Sequence, residues 1–275
     1  MTKRHRIGGA ATVARLGLVV AVLFAAACMR SGVSSTPRSS APRLRVVVPV
    51  AAPPYAFDDG GQVVGLEIDF AAELAAALGR RLDVRGAEFG DVIPSIMNGE
   101  ADLAMAGLTV TRAREAQMAF AEPYLRSGLL ALVRREDAEQ YPTPESVVRR
   151  GHAIGVVQGT TGERAVNERV ESSEIMAYPT ALAAIDELRA RRIDAFVHDA
   201  PVAIWFASRD EANIAPILRL LGDEPLAWGI RLGDDELRTQ VNAVLARWRS
   251  DGTLARILAR WLPYWQRLEA AERRR

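Results

Sequence analysis

The stretch ADLAMAGLTVTRARE, residues 101–115, changes character halfway along. Residues 101–106 read as a strand. Gly107 ends it, and glycine lets a backbone approach a ligand closely. Thr109 and Thr111 then alternate with Leu108 and Val110, Arg112 and Arg114 follow, and a helical run is expected from about Glu115. Small hydroxyls leading into an arginine suit an anion, because a guanidinium grips a carboxylate with two parallel hydrogen bonds. A capping threonine with two surface arginines is the plain alternative. Cations in a first helical turn oppose the helix dipole, however, and that placement points to a compensating anion. Residue types alone leave Arg114 and Arg112 as rival candidates.

Working outward, the flanking chain predicts an α/β fold. LRVVVPV, residues 44–50, suits a buried strand. GLEIDFAAELAAALG follows, with Ile68, Ala71, Ala72, Ala75 and Leu78 at helical spacing and Gly79 placed to end the helix. LDVRGA reads as a strand and DVIPSIMNG as a short helix. A second cycle begins at AIGVVQG, residues 153–159, and runs through ERAVNERV, EIMAY, ALAAIDELRARR, IDAFVHD and APVAIWFAS. Alternating strands and helices imply mostly parallel sheets with crossover helices. Between the cycles lies RREDAEQYPTPESVVRRG, polar and carrying two prolines, read as the crossing between two lobes. Near the end, Leu237, Val241, Val244, Leu245 and Trp248 mark one helical face. SDGT makes a turn with a new cap at Thr253 or Asp251, and Leu254, Ile257, Leu258 and Trp261 mark the next face.

The N-terminus reads as an export signal. MTKRHR is basic, and LGLVVAVLFAAA is apolar but short for a membrane span. Cys28, the single cysteine, follows FAAA. Small residues directly before a thiol resemble a bacterial lipoprotein signal, with Cys28 as the lipid-bearing residue. Ala25 stands where that motif usually has leucine, and cleavage after Ala27 is the alternative. Residues 1–28 are thus a signal peptide, and the serine- and proline-rich residues 29–42 a flexible tether. With one cysteine no intramolecular disulfide is expected.

Composition removes several functions. The chain has 275 residues, 49% hydrophobic, with 35 Lys+Arg against 34 Asp+Glu. That balance predicts no nucleic-acid partner. His5, His152 and His198 lack metal-ligand spacing, so no metal is expected. No phosphate loop, dinucleotide fingerprint or nucleophile elbow is present, and no cofactor or catalytic residue is expected. Asp58–Asp59 and Asp234–Asp235 sit in turn contexts.

Two further strand ends carry chemistry. QGTTGE, residues 158–163, sets Gly159, Thr160 and Thr161 at a helix N-terminus, where free N–H groups hold anions. An ordinary cap, with Glu163 near a capping-box position, is the alternative. IDAFVHDAP places Asp199 before Ala200–Pro201, either as a cap or as a cleft carboxylate. Open α/β sheets bind ligands at the carboxyl ends of strands. Two anion-holding strand ends and one carboxylate strand end together suit a zwitterion.

These stretches, in this order, resemble the extracellular solute-binding proteins of polar amino-acid ABC transporters, family 3. The resemblance spans about residues 43–263, through LRVVVPV, PPYAFDDGGQVVGLEIDF, FGDVIPSIMNGEADLAMAGLTVTRARE, IGVVQGTTGE and RRIDAFVHDAPVA. It implies an α/β, two-lobed periplasmic-binding-protein-like fold of type II, with mixed, mostly parallel sheets and hinge strands. Residues 43–133 and 226–275 would form one lobe and 134–225 the other. Arg114 would grip an α-carboxylate with help from Thr109 and Thr161, beside Thr160 of the same helix start. Asp199 and the Gly107 carbonyl would meet the α-ammonium, and Phe89 would form a wall. Ala52 stands where the family often has an aromatic, leaving Tyr55 or Phe57 to compensate, or a roomier pocket. Pro49–Val50 lacks the acidic residue of some basic-amino-acid binders, which implies a non-basic ligand. The implied protein is a monomeric, lipid-anchored periplasmic receptor serving an ABC permease and ATPase. A cyclohexadienyl or arogenate dehydratase-like enzyme, with Glu163 as general acid, is the alternative, and a free-standing sensor a third reading.

Overall fold

The computed structural model describes residues 41–148, 151–169 and 174–265. The signal segment, Cys28 and nearly all of the tether lie outside the described residues. Two five-stranded sheets organise the rest. The first runs in the order Arg81–Ala87, Arg43–Pro49, Leu103–Ala104, Gly229–Ile230, Ala119–Phe120. Its first three strands are parallel, and Gly229–Ile230 is antiparallel to both neighbours. The second runs Glu174–Tyr178, Ala153–Val157, Ala195–Asp199, Leu125–Arg134, Ile214–Leu226. Again three parallel strands are followed by antiparallel pairing. Each sheet is the centre of one lobe.

Helix Leu66–Ala77 ends as its sequence predicts. Gly79 has φ +63°, and the N–H groups of Gly79 and Arg80 return to the carbonyls of Ala76 and Ala75. Its inward face is shifted from the expected one. Glu67, Phe70, Ala71, Leu74 and Ala75 are buried, while Ala72 is exposed. Phe70 decides this, because its ring lies 5.3–6.1 Å from Tyr124, Trp228 and Trp248. Aromatic burial outweighs that of the small alanines on which the expected face rested. The closing helices Asp235–Asp251 and Thr253–Trp261 meet at Gly252, and Asp251 Oδ1 accepts the Thr253 N–H at 2.9 Å. The helix expected from Glu115 is instead a single turn, Arg112–Glu115, because the chain soon enters strand Ala119–Phe120.

The passage between lobes lies elsewhere than the polar stretch after Val133. Strand Leu125–Arg134 already belongs to the second sheet, so residues 125–133 sit with the second lobe. Residues 121–124 lead outward and 226–228 lead back, bonded to each other through Ala121 N–H to Trp228 O and Tyr124 N–H to Leu226 O. The returning segment Leu226, Ala227, Trp228 is buried and apolar, and Ala121 and Tyr124 of the outward one are buried, so these crossings carry no run of polar residues to mark them.

Candidate functional site

Arg114 is turned inward by its local cap. Thr111 Oγ1 accepts the Arg114 N–H at 3.3 Å, and the one-turn helix leaves Arg112 exposed while Arg114 is 9% exposed. Arg114 Nη1 donates to the Thr109 carbonyl at 3.0 Å, and Nη2 to the Gly159 carbonyl at 3.4 Å. The guanidinium therefore touches both lobes. Burial pushes its pKa down to about 10, so it remains cationic at neutral pH.

Opposite it, Thr160 and Glu163 cap helix Thr161–Arg169. Thr160 Oγ1 accepts the Glu163 N–H at 3.2 Å, and Glu163 Oε2 accepts the Gly159 N–H at 2.7 Å. Glu163 is thereby folded onto backbone and does not line the cavity described below. Thr161 is free of capping duty. Its Oγ1 lies 3.5 Å from Thr109 Oγ1, and both hydroxyls donate to Glu224 Oε2, at 2.9 and 3.1 Å.

Asp199, 7% exposed, ends a parallel strand of the second sheet. Tyr55 Oη donates to its Oδ2 at 2.6 Å. The Asp199 N–H reaches His198 Nδ1 at 2.8 Å, and the same ring nitrogen meets Asp199 Oδ1. Burial pushes the His198 pKa down to about 3. Gly107 has φ +60°, and a Cβ there would fall 2.5 Å from the Tyr55 ring. Its N–H donates to Glu67 Oε1 at 2.8 Å. Glu67, fully buried, also accepts Tyr124 Oη at 2.8 Å and Trp228 Nε1 at 2.9 Å. Burial raises its pKa to about 7 despite these donors.

A cavity of about 280 Å³ lies between the lobes, near the small end for ligand pockets, roughly 300–1,000 Å³. Arg114, Thr109, Thr160, Thr161, Asp199, Gly107, Tyr55 and Phe89 all line it, whereas the rival candidates Arg112, Glu163 and Phe57 do not. Val50, Ala52, Pro179 and Val202 add apolar wall. Of the two aromatics that could replace one at position 52, Tyr55 is spent on Asp199. Phe57 points away from the cavity, its ring 5.1 Å from Trp205 and 6.0 Å from Trp261. Sequence reading missed Glu67 and Glu224. Glu67 stands in the first turn of a helix, where acidic residues are ordinary, and Glu224 in a strand whose apolar pattern is broken, so neither carries a local signal. Among the described residues no His/Cys/Asp/Glu group could hold a metal.

The parallel-strand ends of two lobes, facing one cavity, define a two-lobed periplasmic-binding-protein fold. Residues 44–264 match the model of the bacterial extracellular solute-binding proteins, family 3, and the chain belongs to that family. The L-cystine-binding protein TcyJ of Escherichia coli is 26% identical over 76% of this chain and 78% of its own length. The histidine-binding periplasmic protein of Escherichia coli is 29% identical over 78% and 85%. Among solved structures, the ancestral amino acid-binding protein AncCDT-1, described as a precursor of cyclohexadienyl dehydratase, aligns with TM-score 0.75. It is 31% identical and covers 80% of this chain and 95% of its own.

Proposed function

We propose that this protein captures a free amino acid outside the cytoplasmic membrane and hands it to an ABC permease and its ATPase. One observation carries the reading. A buried cation, Arg114 of the first lobe, and a buried carboxylate, Asp199 of the second, line the same cavity. Arg114 with the Thr109 and Thr161 N–H groups takes the α-carboxylate, and Asp199 with the Gly107 carbonyl takes the α-ammonium. The names of similar proteins, binders of cystine and histidine, support the class. Capture favours the state in which the lobes meet.

The ligand's side chain is not a basic one on this reading. Pro49, Val50 and Ala52 line the cavity with no acidic group among them. A basic ligand is the second reading, favoured by Glu88, an exposed carboxylate on the cavity lining with no side-chain partner among the described residues. Titration calorimetry with the twenty amino acids separates the two. Arg114→Ala should weaken the tightest ligand by about a hundredfold or more, since it leaves a buried carboxylate unpaired at about 3–5 kcal/mol. Unchanged affinity would sink the reading. A lipid anchor at Cys28 completes the proposal: Cys28→Ser should move the protein from the membrane to the soluble fraction.

A further inference from the structure

Glu224 lies on the returning strand Ile214–Leu226 and is 7% exposed. One of its oxygens accepts two hydroxyl bonds, from Thr109 of the first lobe and Thr161 of the second. No ion pair within 4 Å supports it among the described residues. Its surroundings are few: Ser127 pairs with it across the ladder, Arg114 and Arg164 attract it from a longer distance, and the Tyr55 phenol senses its charge. Burial outweighs these attractions and raises its affinity for a proton.

Each threonine hydroxyl has one hydrogen to give. While both hydrogens point at Glu224, neither can serve a carboxylate arriving at Arg114. A second carboxylate beside the same guanidinium also meets like-charge repulsion, which protonation of one partner relieves. A protonated Glu224 reverses one bond. Its O–H donates to a threonine oxygen, and that threonine turns its own hydrogen toward the incoming carboxylate.

We propose that Glu224 is a positioning residue of the binding site, and that capture of an amino-acid carboxylate at Arg114 is coupled to uptake of one solvent proton by Glu224. The inference rests on the amino-acid reading of the cavity. The proton comes from bulk water and adds to a Glu224 oxygen; no bond between heavy atoms forms or breaks. Uptake on binding means that affinity rises as pH falls, by at most about tenfold per pH unit. The rise is confined to the window between the free and ligand-bound pKa of Glu224.

The test begins with a thermal-shift screen of the twenty L-amino acids. The tightest binder then goes into calorimetry between pH 5.5 and 8, in paired buffers of different ionisation heat. The expected result is a net uptake of up to one proton per ligand in the wild type, and a marked loss of that uptake in Glu224→Gln. Thr161→Val, which removes one of the two hydroxyls, should reduce affinity most at low pH. Binding without proton uptake anywhere in this range overturns the coupling and leaves the receptor reading intact. Equal uptake in wild type and Glu224→Gln also overturns it, by placing the proton elsewhere. If none of the twenty binds, both readings fall. Absence of uptake in the wild type overturns the coupling even if Glu224→Gln fails to fold. In that case Glu224→Asp, which moves the carboxyl away from the two hydroxyls, should shift the pH window of uptake, and an unshifted window places the proton elsewhere.

Discussion

Tyr55 Oη donates a 2.6 Å hydrogen bond to Asp199 Oδ2 across the seam between the lobes. Tyr55 is held by the first lobe and Asp199 ends a strand of the second. The bond aims the carboxylate and also links the lobes. Tyr55→Phe keeps the ring against Gly107 and removes only this bond. Hydrogen bonds to charged groups contribute about 1.5–3 kcal/mol. Calorimetry on Tyr55→Phe should therefore show roughly ten- to hundredfold weaker binding with the order of ligand preference retained.

Glu67 makes folding stability depend on pH. Its carboxyl, ordinarily near 4.5, is raised to about 7 in the folded chain. Between those values the folded state holds a proton that the unfolded state has released. Its contribution to stability is thus complete below pH 4.5 and is lost as pH rises toward 7, on the order of 3 kcal/mol in all. His198 acts in the opposite sense: depressed from 6.5 to about 3, it contributes stability above pH 6.5 that is lost on acidification. Between about pH 4.5 and 6.5 the two opposite slopes largely cancel in the wild type. Denaturant midpoints of Glu67→Gln should therefore rise from about pH 5 to 6.5, where those of the wild type stay nearly level. Identical profiles would rule Glu67 out.

Trp205 joins the lobes outside the cavity. From helix Ala200–Arg209 its ring reaches within 5.1 Å of Phe57 and 6.3 Å of Trp261, and the Arg209 guanidinium stacks 3.1 Å over it. Trp205→Ala should reduce the fraction of molecules with the lobes together. Apparent affinity scales with that fraction. Every ligand should weaken by the same factor, chiefly through faster release in stopped-flow measurements. A changed ligand preference would contradict this account.

Gly107 tolerates no side chain. Its positive φ costs an L-residue about 1–2 kcal/mol, and a methyl group would collide with the Tyr55 ring at 2.5 Å. Relief of the collision must move either Tyr55 or the Gly107 N–H bonded to Glu67. Gly107→Ala is expected to lose at least about 2 kcal/mol in urea denaturation, and to bind more weakly because Asp199 loses its partner.

The amino-acid order by itself determined the alternation of strands and helices, the helix stop at Gly79, and the three strand ends that carry Arg114, Thr161 and Asp199. Those signals are local: periodicity, caps and turn residues act within a few positions. Only the tertiary structure decided which lobe claims residues 125–133, which face of helix Leu66–Ala77 turns inward, and that Glu67 and Glu224 are buried. Each of these depends on partners far along the chain, such as Trp228 for Glu67 and Thr109 for Glu224. A carboxylate's burial is set by the donors the fold brings to it, and no neighbour in sequence reports them.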